Sequence, residues 1–441
     1  MLAAFVRAFR TPDLRKKLLF TLGIIVLFRL GSHVPTPGIS YTLVQQCLQA
    51  GKARGGSDQS GFLNLANLFS GGALLQLSVF ALGIMPYITA SIIIQLLTVV
   101  IPRFEALKEE GQSGQAKLTQ YTRYLTIGLA ILQSATLVTF ARNPSSLFGG
   151  DCQTIMVDQS MVTIVIMVLT MTAGTGLIMW FGELVTDKGV GNGMSLMIFT
   201  SIAAGFPGSL WAIKENKGWG TFLLIIILGM FVIAAVVFVE QSQRRIPVQY
   251  AKRMVGRRMY GGTSTYIPLK VNMAGVIPVI FASSLLALPG LVAQFNSRAD
   301  GNNAAWVTWV QAHLVKGEHP IYMAVYVALI LFFTFFYVSI TFNPTEVAEN
   351  MKKYGGFIPG IRAGRPTAEY LNYVLTRITV PGAIYLALIS LIPLVALVLV
   401  GANQNFPFGG TSILIVVGVG LETVKQIEAQ LQQRHYEGFL R

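Results

Sequence analysis

The sequence predicts an all-α membrane protein with ten transmembrane helices. Of its 441 residues, 53% are hydrophobic and only 12% are charged, whereas soluble domains carry about 25% charged residues. The mean hydropathy is +0.60. Apolar runs of about 20 residues, the length that crosses a bilayer, recur along the chain. These observations exclude a soluble multidomain enzyme.

Ten apolar runs are long enough to be membrane spans. They lie at residues 18–36, 74–97, 121–140, 157–181, 192–212, 219–240, 273–294, 319–341, 378–401 and 408–427. An even number of spans places both termini on the same side of the membrane. Of the 33 lysines and arginines, 25 fall on that side. The positive-inside rule therefore makes both termini cytosolic.

The spans divide into two groups of five. The predicted regions are a cytosolic N-terminus (1–17), an N-terminal half (18–213), a C-terminal half (214–427) with cytosolic loops at 241–272 and 342–377, and a cytosolic tail (428–441). Two related halves with an odd number of spans each have opposite topologies, which places a site at their interface. The sequence contains no clear residue-level repeat, so the two inverted five-helix halves are an architectural expectation.

A short apolar segment, GFLNLANLFSGGA at 61–73, precedes the second span. It is too short to cross a bilayer, and Asn64, Asn67 and the Gly71–Gly72 pair interrupt it. Two interpretations remain open: an amphipathic helix on the outer surface, or a re-entrant piece whose backbone is satisfied by protein or by a water-filled cavity. Its position directly before a span favours the second. Pro86 is predicted to kink the second helix within the membrane.

The spans contain almost no ionisable groups. Arg29 is the clearest exception, and its long side chain can snorkel to the outer interface. Proton pumps, ion-coupled symporters and ion channels need buried carboxylates, charged rings or carbonyl filters, and none is evident. Composition and periodicity alone favour a secondary transporter of a small solute, but the polar ligands that such a protein carries at the midplane are missing.

Signals for enzymatic or metal chemistry are also missing. The sequence has no phosphate loop, zinc-binding helix or nucleophile elbow. An intramembrane protease needs a Ser/His pair, paired Asp or zinc ligands inside the spans, and His33 alone does not qualify. The four histidines show no ligand spacing. The only cysteines, Cys47 and Cys152, fall in predicted outer loops, where they could pair in a disulfide. We expect no enzymatic activity, cofactor or metal.

Two cytosolic loops are longer than a connection requires. The segment from Gln243 to Lys270 carries seven basic residues, no acidic ones and three tyrosines. The second loop, from Asn343 to Arg377, contains KKYGGFIPGIRAG. Either the loops are solvated and set the orientation of the protein, or they dock an acidic or phosphate-rich partner. Their length favours docking.

Several motifs, read in order, resemble the bacterial SecY family, the channel subunit of the protein-export translocon. They are GGALLQLSVFALGIMPYITASIIIQLLTVV, GELVTDKGVGNGMSL, QSQRRIPVQYAKR, LKVNMAGVIPVIFASS, FNPTEVAENMKKYGGFIPGIRAG and FGGTSILIVVGV. The resemblance runs from about residue 14 to residue 435. Ala363 replaces a proline that is common in the family, and the first and third outer loops are individual in sequence.

The resemblance implies a central pore that conducts unfolded secretory polypeptides and opens sideways to release transmembrane segments into lipid. The family's apolar pore ring corresponds to Ile84, Ile88, Met194, Ile198, Ile280 and Ile415. Its re-entrant plug corresponds to Phe62, Leu63, Asn64, Leu65, Ala66, Asn67, Leu68, Phe69, Ser70 and Gly71. The polar cluster of its lateral gate corresponds to Thr89, Gln133 and Asn272. Met194 departs from the commoner isoleucine.

The resemblance also implies partners. Arg362, with Arg253, Arg257 and Arg258 as neighbouring basic contacts, corresponds to the arginine that engages the SecA ATPase motor and the ribosome, including its RNA. SecE and SecG are the expected companion subunits, and signal sequences of preproteins together with membrane lipid are expected at the gate. The expected location is the bacterial plasma membrane. Because the chain itself lacks catalytic motifs, SecA or the translating ribosome supplies the force.

Overall fold

The computed structural model describes residues 9–53, 70–142, 155–250, 253–255, 258–260, 264–295, 304–315, 319–400 and 410–437. Within these ranges the protein is largely helical. The helices are α1 (Pro12–Gly31), α2 (Tyr41–Ala53), α3 (Met85–Val100), α4 (Pro102–Glu109), α5 (Gln112–Arg142), α6 (Met161–Lys188), α7 (Gly193–Gln241), α8 (Ile277–Phe295), α9 (Ala305–Val310), α10 (Pro320–Thr341), α11 (Pro344–Lys353), α12 (Arg365–Val400) and α13 (Gly410–Glu437). A short π-helix, Gln311–Val315, follows α9.

Each predicted span overlaps one of these helices. By length and composition, four described segments could cross a membrane: Met161–Lys188, Gly218–Gln241, Pro320–Lys353 and Arg365–Ile392. A fifth is the bent pair Met85–Val100 and Pro102–Lys108. The protein is therefore an all-α membrane protein, and the count of ten spans stays a prediction.

The second span differs from its prediction. Residues 70–84 form turns, and the helix begins only at Met85. Pro86 lies in the first turn of α3, where the missing N–H of proline costs no helical hydrogen bond. The predicted kink within the membrane at Pro86 is therefore wrong. The bend lies instead between α3 and α4, whose axes meet at 104° on either side of Ile101.

Other helices extend past the predicted spans. α5 begins at Gln112, α12 begins at Arg365, and α13 continues to Glu437. Hydropathy indicates where the apolar part of a helix ends. The helical backbone hydrogen bonds can continue into water where the residues favour a helix. The fifth and sixth predicted spans form one helical element, α7, which is interrupted at Gly218 by a positive φ of 79°.

The two loops predicted to be cytosolic contain strands that were not predicted from the sequence. The strands are β1 (Gln243–Tyr250), β2 (Arg253–Val255), β3 (Arg258–Tyr260), β4 (Ser264–Lys270) and β5 (Gly356–Phe357), in a three-stranded and a two-stranded sheet. β1 lies between β4 and β5, antiparallel to both, and β2 pairs with β3. Ile246 and Val248 of β1 are buried at alternate positions, as expected for a half-buried strand. They pack on side chains from the second loop and α12, including Met351, Ile358, Leu371 and Val374.

The helices pack in two series that contact each other at two places. α3, α5, α6 and α7 pack in series, and so do α8, α10, α12 and α13. The two series meet at two seams, α7 against α13 and α3 against α8. α1 packs against α6 and α7. The two seams therefore join the two groups of helices into a ring.

Candidate functional site

The six residues predicted to form the pore ring lie in one apolar cluster. Ile84, Ile198 and Ile415 are 2%, 6% and 1% exposed, and Ile88, Met194 and Ile280 are half-buried and pack against them. The buried members of this central cluster are Ile24, Phe28, Phe80, Ile84, Ile178, Val185, Leu196, Met197, Ile198, Ile202 and Ile415. Both groups of helices contribute side chains, so the cluster spans their interface.

The GNG turn determines where α7 begins. Gly191 adopts a positive φ of 88°, which a residue with a side chain rarely adopts. The side-chain oxygen of Asn192 accepts hydrogen bonds from the backbone N–H groups of Met194 and Ser195, at 3.1 and 3.4 Å. This N-cap starts the helix. The turn thereby sets the position of Met194 and, one turn later, of Ile198.

Two glycines bring α6 and α7 close together beside the central cluster. A Cβ added to Gly193 would overlap the carbonyl oxygen of Gly182, and a Cβ added to Gly182 would overlap the sulfur of Met194. Small residues allow membrane helices to approach closely. Met194 therefore keeps its position only while residue 182 is a glycine.

The non-helical segment before α3 is held by the end of α1. The N–H of Val79 donates to the carbonyl of Val34 at 2.9 Å. The hydroxyl and the N–H of Thr36 both donate to the carbonyl of Leu77, at 2.8 and 3.1 Å. Irregular backbone at membrane depth requires such partners. This segment is therefore built into the protein and does not lie on its surface.

Arg29 binds the same segment. Its Nη1 donates to the carbonyl oxygen of Gly71 at 2.8 Å, so the guanidinium has a hydrogen-bond partner within the protein. Gly71 has a φ of +66°, and a Cβ there would lie 3.0 Å from Nη1 of Arg29 and 3.2 Å from the Cα of Ser201. Of the predicted plug, only Ser70 and Gly71 are within the described residues. Phe62 to Phe69 lie outside them.

The three predicted gate residues lie on or beside different helices, and no hydrogen bond joins one of them to another among the bonds of the described residues. The hydroxyl of Thr89 donates to the carbonyl of Met85 at 3.0 Å. Gln133 is half-buried on α5. Asn272 is buried just before α8 and donates to Glu240 at 2.6 Å. Their role as a polar gate cluster stays a prediction.

Arg362 is exposed in a turn that follows β5. Gly360 and Gly364 on either side of it have φ values of +85° and +104°. The hydroxyl of Thr367 donates to the carbonyl of Arg362 at 2.8 Å. The pairing of Gln249 with Phe357 joins β1 to β5. The turn of Arg362 thus follows a strand that pairs with β1, the first strand of the basic hairpin formed by β1 to β4.

The other predicted docking arginines lie between β1 and β4 along the chain. In the β2–β3 pair, Arg253 lies opposite Tyr260 and Arg258 lies opposite Val255. Arg257 is outside the described residues. Two arginines that the resemblance did not single out, Arg244 and Arg245, are exposed on β1.

An ion pair that was not predicted from the sequence joins α5 and α6. Nε of Arg123 donates to Oε1 of Glu183 at 2.7 Å, and Nη2 donates to Oε2 at 2.9 Å. Glu183 and Glu240 both stand near the end of an apolar run. A charged carboxylate at such a position costs free energy unless it has a partner. The sequence alone could therefore have indicated that Glu183 and Glu240 are paired.

The described residues contain no group of three or more potential metal ligands. Nδ1 of His33 lies 3.2 Å from Oε1 of Gln76. Cys47 is buried in α2, while Cys152 lies outside the described residues. The disulfide between them therefore stays untested.

The comparisons with known proteins agree with these features. The SecY family model matches residues 78–424. The Protein translocase subunit SecY of Streptomyces galbus is 67% identical over 448 residues, covering 100% of both chains. The proteins of the same name from Micrococcus luteus and Mycobacterium bovis are each 58% identical, over 443 and 445 residues, again covering 100% of both chains.

The fold is also similar to that of solved channel structures. A protein-conducting channel matches with a TM-score of 0.61 at 18% sequence identity, covering 94% of this chain and 91% of the other. Canine Sec61, in its ribosome-channel complex, matches with a TM-score of 0.59 at 17% identity and the same coverage. With the family model matching most of its length and relatives matching all of it, this chain belongs to the SecY family.

Proposed function

We propose that this chain is the central pore-forming subunit of a protein translocase. It conducts unfolded secretory polypeptides across the membrane and releases transmembrane segments laterally into lipid. The observation that carries the proposal is the central cluster, which gathers all six predicted pore residues from both groups of helices. The names of full-length relatives support it, and they describe a translocase subunit, not an enzyme.

An apolar ring suits an unselective channel. Aliphatic side chains at a constriction block small ions by dewetting, and they offer no hydrogen-bond pattern that would select one polypeptide over another. Met194 adds an unbranched thioether that adapts to irregular contacts. The ring of Ile84, Ile88, Met194, Ile198, Ile280 and Ile415 can therefore seal around different cargo side chains.

The proposed topology has ten spans in two inverted halves, 18–213 and 214–427. Both termini are cytosolic, and the membrane is the bacterial plasma membrane. The charge asymmetry of the loops supports this orientation. The exposed basic residues of β1 and the turn of Arg362 fall on the same predicted side, in one sheet.

The proposed lateral gate is the α3–α8 seam, and the proposed plug is the segment 61–73. The seam is one of the two places where the two groups of helices meet, so separating it would open the ring toward lipid. The end of the plug at Gly71 is held by Arg29. Signal sequences of preproteins and membrane lipid are the expected occupants of the opened seam.

The proposed partners are SecE, SecG, the SecA ATPase and the ribosome, including its RNA. The cytosolic sheet presents Arg362 and the basic hairpin together, which suits an acidic or phosphate-rich surface. One solved relative of the fold is Sec61 in a ribosome-channel complex. A partner that consumes ATP or makes the polypeptide supplies the energy.

Reconstitution tests the proposal. Vesicles containing this chain, a SecE-type subunit and a SecA-type ATPase should protect a signal-bearing preprotein from external protease when ATP is present. Arg362→Glu should abolish protection, because it reverses the charge of an exposed docking residue. Arg377→Glu is the matched control, since Arg377 is also exposed but lies on α12, outside the turn. Lack of protection by a folded wild-type complex would contradict the proposal.

A further inference from the structure

Glu240 and Asn272 stand at the two ends of the cytosolic hairpin, where it joins the membrane helices. Glu240 is the penultimate residue of α7, and Asn272 follows β4 by two residues. Nδ2 of Asn272 donates to Oε1 of Glu240 at 2.6 Å. One residue further into the hairpin, the N–H of Val271 donates to the carbonyl of Ser242 at 3.0 Å. The base of the hairpin is therefore closed by two bonds.

The amide of Asn272 is fixed in orientation. Its Nδ2 also donates to the carbonyl of Gly275 at 3.1 Å, and the residue is 3% exposed. Gly275 has a φ of +61°, and the turn that it makes leads into α8 at Ile277. The bond to Glu240 therefore acts on the residues that set the direction of α8.

The connection between hairpin and α8 is tightly packed. A Cβ added to Gly382 of α12 would lie 2.5 Å from the carbonyl oxygen of Val271 and 3.7 Å from the Cα of Asn272. The link thus lies between the end of α7 and the surface of α12. Because packed interiors transmit displacement instead of absorbing it, a movement of the hairpin reaches α8.

The bond between Glu240 and Asn272 needs a hydrogen-bond acceptor at position 240 and not a charge. An amide oxygen at this position could accept the bond as the carboxylate does. Oδ1 of Asn272 is buried and has no hydrogen-bond partner among the described residues. The hydrogen bonds of the Asn272 side chain among the described residues are therefore the two that Nδ2 donates, to Glu240 and to Gly275.

We propose that Glu240 is a positioning residue for Asn272, and that their hydrogen bond couples the cytosolic hairpin to α8. Binding at the hairpin then changes the α3–α8 seam. This inference rests on the proposed function, which places partner docking on the hairpin and the lateral gate at that seam.

A crosslinking experiment tests the coupling in the assembled translocase. Cysteines replace Ile92 on α3 and Ala282 on α8, which lie in one packed cluster, after Cys47 and Cys152 are changed to serine. Oxidative crosslinking is measured in vesicles with and without a SecA-type ATPase bound to a non-hydrolysable ATP analogue. Binding of the ATPase to the same vesicles is measured separately by co-sedimentation.

With Glu240 in place, ATPase binding should change the crosslinking rate by at least about fivefold, the lower end of typical coupling between sites. In Glu240→Ala the change should fall well below this fivefold limit, while ATPase binding is kept. Glu240→Gln should behave as Glu240 does, because its amide oxygen still accepts the hydrogen bond.

A Glu240→Ala channel that keeps the full response would overturn the coupling and leave the proposed function standing. If ATPase binding does not change the crosslinking rate even with Glu240 in place, the proposed link between docking and gate is wrong. The proposed coupling through Glu240 is then wrong as well. A resting crosslinking rate that is equal in all three chains confirms that the seam itself is folded.

Discussion

Nη1 of Arg29, in the first span, lies 2.8 Å from the carbonyl oxygen of Gly71, at the end of the proposed plug. The two residues are 42 positions apart in the chain. Gly71 has no side chain, and a Cβ at this position would press on both the guanidinium and the backbone of Ser201. The hydrogen bond therefore joins α1 to the start of the segment that leads into α3.

Arg29→Met should loosen this segment and make the resting channel leaky. A hydrogen bond to a charged group contributes about 1.5–3 kcal/mol, which corresponds to about a ten- to hundredfold change in an equilibrium. We expect higher halide efflux from vesicles, and export of preproteins with weakened signal sequences. Arg29→Lys is the matched control, because an ammonium can still donate to the carbonyl. Equal efflux from the Met and Lys variants would contradict this role.

Ile198→Asn should also raise ion leakage, for a different reason. Ile198 is 6% exposed in the central cluster, and an amide there would hold water in a constriction that apolar side chains keep dry. Ile198→Leu keeps the apolar volume and should cost less than about 1.5 kcal/mol of stability. Halide efflux measured across the two variants separates polarity from packing. A seal unaffected by Ile198→Asn would exclude this residue from the pore ring.

Gly193→Ala should destabilise the protein. The added methyl group would overlap the carbonyl oxygen of Gly182, and overpacking of this kind costs about 1–3 kcal/mol. Gly208→Ala on the same helix is the control, since nothing lies within 4 Å of its Cβ position. Heating the purified protein in detergent should show a lower midpoint for Gly193→Ala alone. A similar midpoint for both variants would mean that α6 and α7 separate easily.

The Arg123–Glu183 pair should show coupling in a double-mutant cycle. Its two bonds of 2.7 and 2.9 Å form a bidentate pair, while Arg123 is 40% and Glu183 22% exposed. Because solvent weakens the attraction, we expect a coupling energy of about 1 kcal/mol. Arg123→Met and Glu183→Met should each destabilise the α5–α6 contact, and the double variant should lose less than their sum. Strict additivity in thermal unfolding would show that the pair contributes nothing.

The candidate site was assigned through the family resemblance, and composition alone would have left each pore-ring residue as ordinary packing. The family resemblance is confirmed by the family model and by full-length relatives. All six predicted pore residues are in one cluster. The structure explains the GNG part of the family motif as a left-handed glycine, an N-cap and a close helix contact.

The predictions that were wrong concern backbone conformation, because hydropathy does not distinguish an apolar turn from an apolar helix. Residues 74–84 are as apolar as a helix, yet they form turns, because the segment after α1 supplies hydrogen-bond partners at Val34 and Thr36. Pro86 was predicted to bend a helix and instead lies in its first turn. The strands of the cytosolic loops were missed because β5 is only two residues long and pairs with a strand about a hundred residues away.

By itself the sequence determined that the chain belongs in a membrane, and it predicted the spans and their orientation, because these depend on side-chain transfer energies and on charge, which add along the chain. Only the tertiary structure decided which polar groups meet. Arg29 with Gly71, Glu240 with Asn272, and β1 with β5 are contacts between distant segments. Each depends on how packed helices bring two backbones within hydrogen-bond distance, and no local pattern encodes that distance.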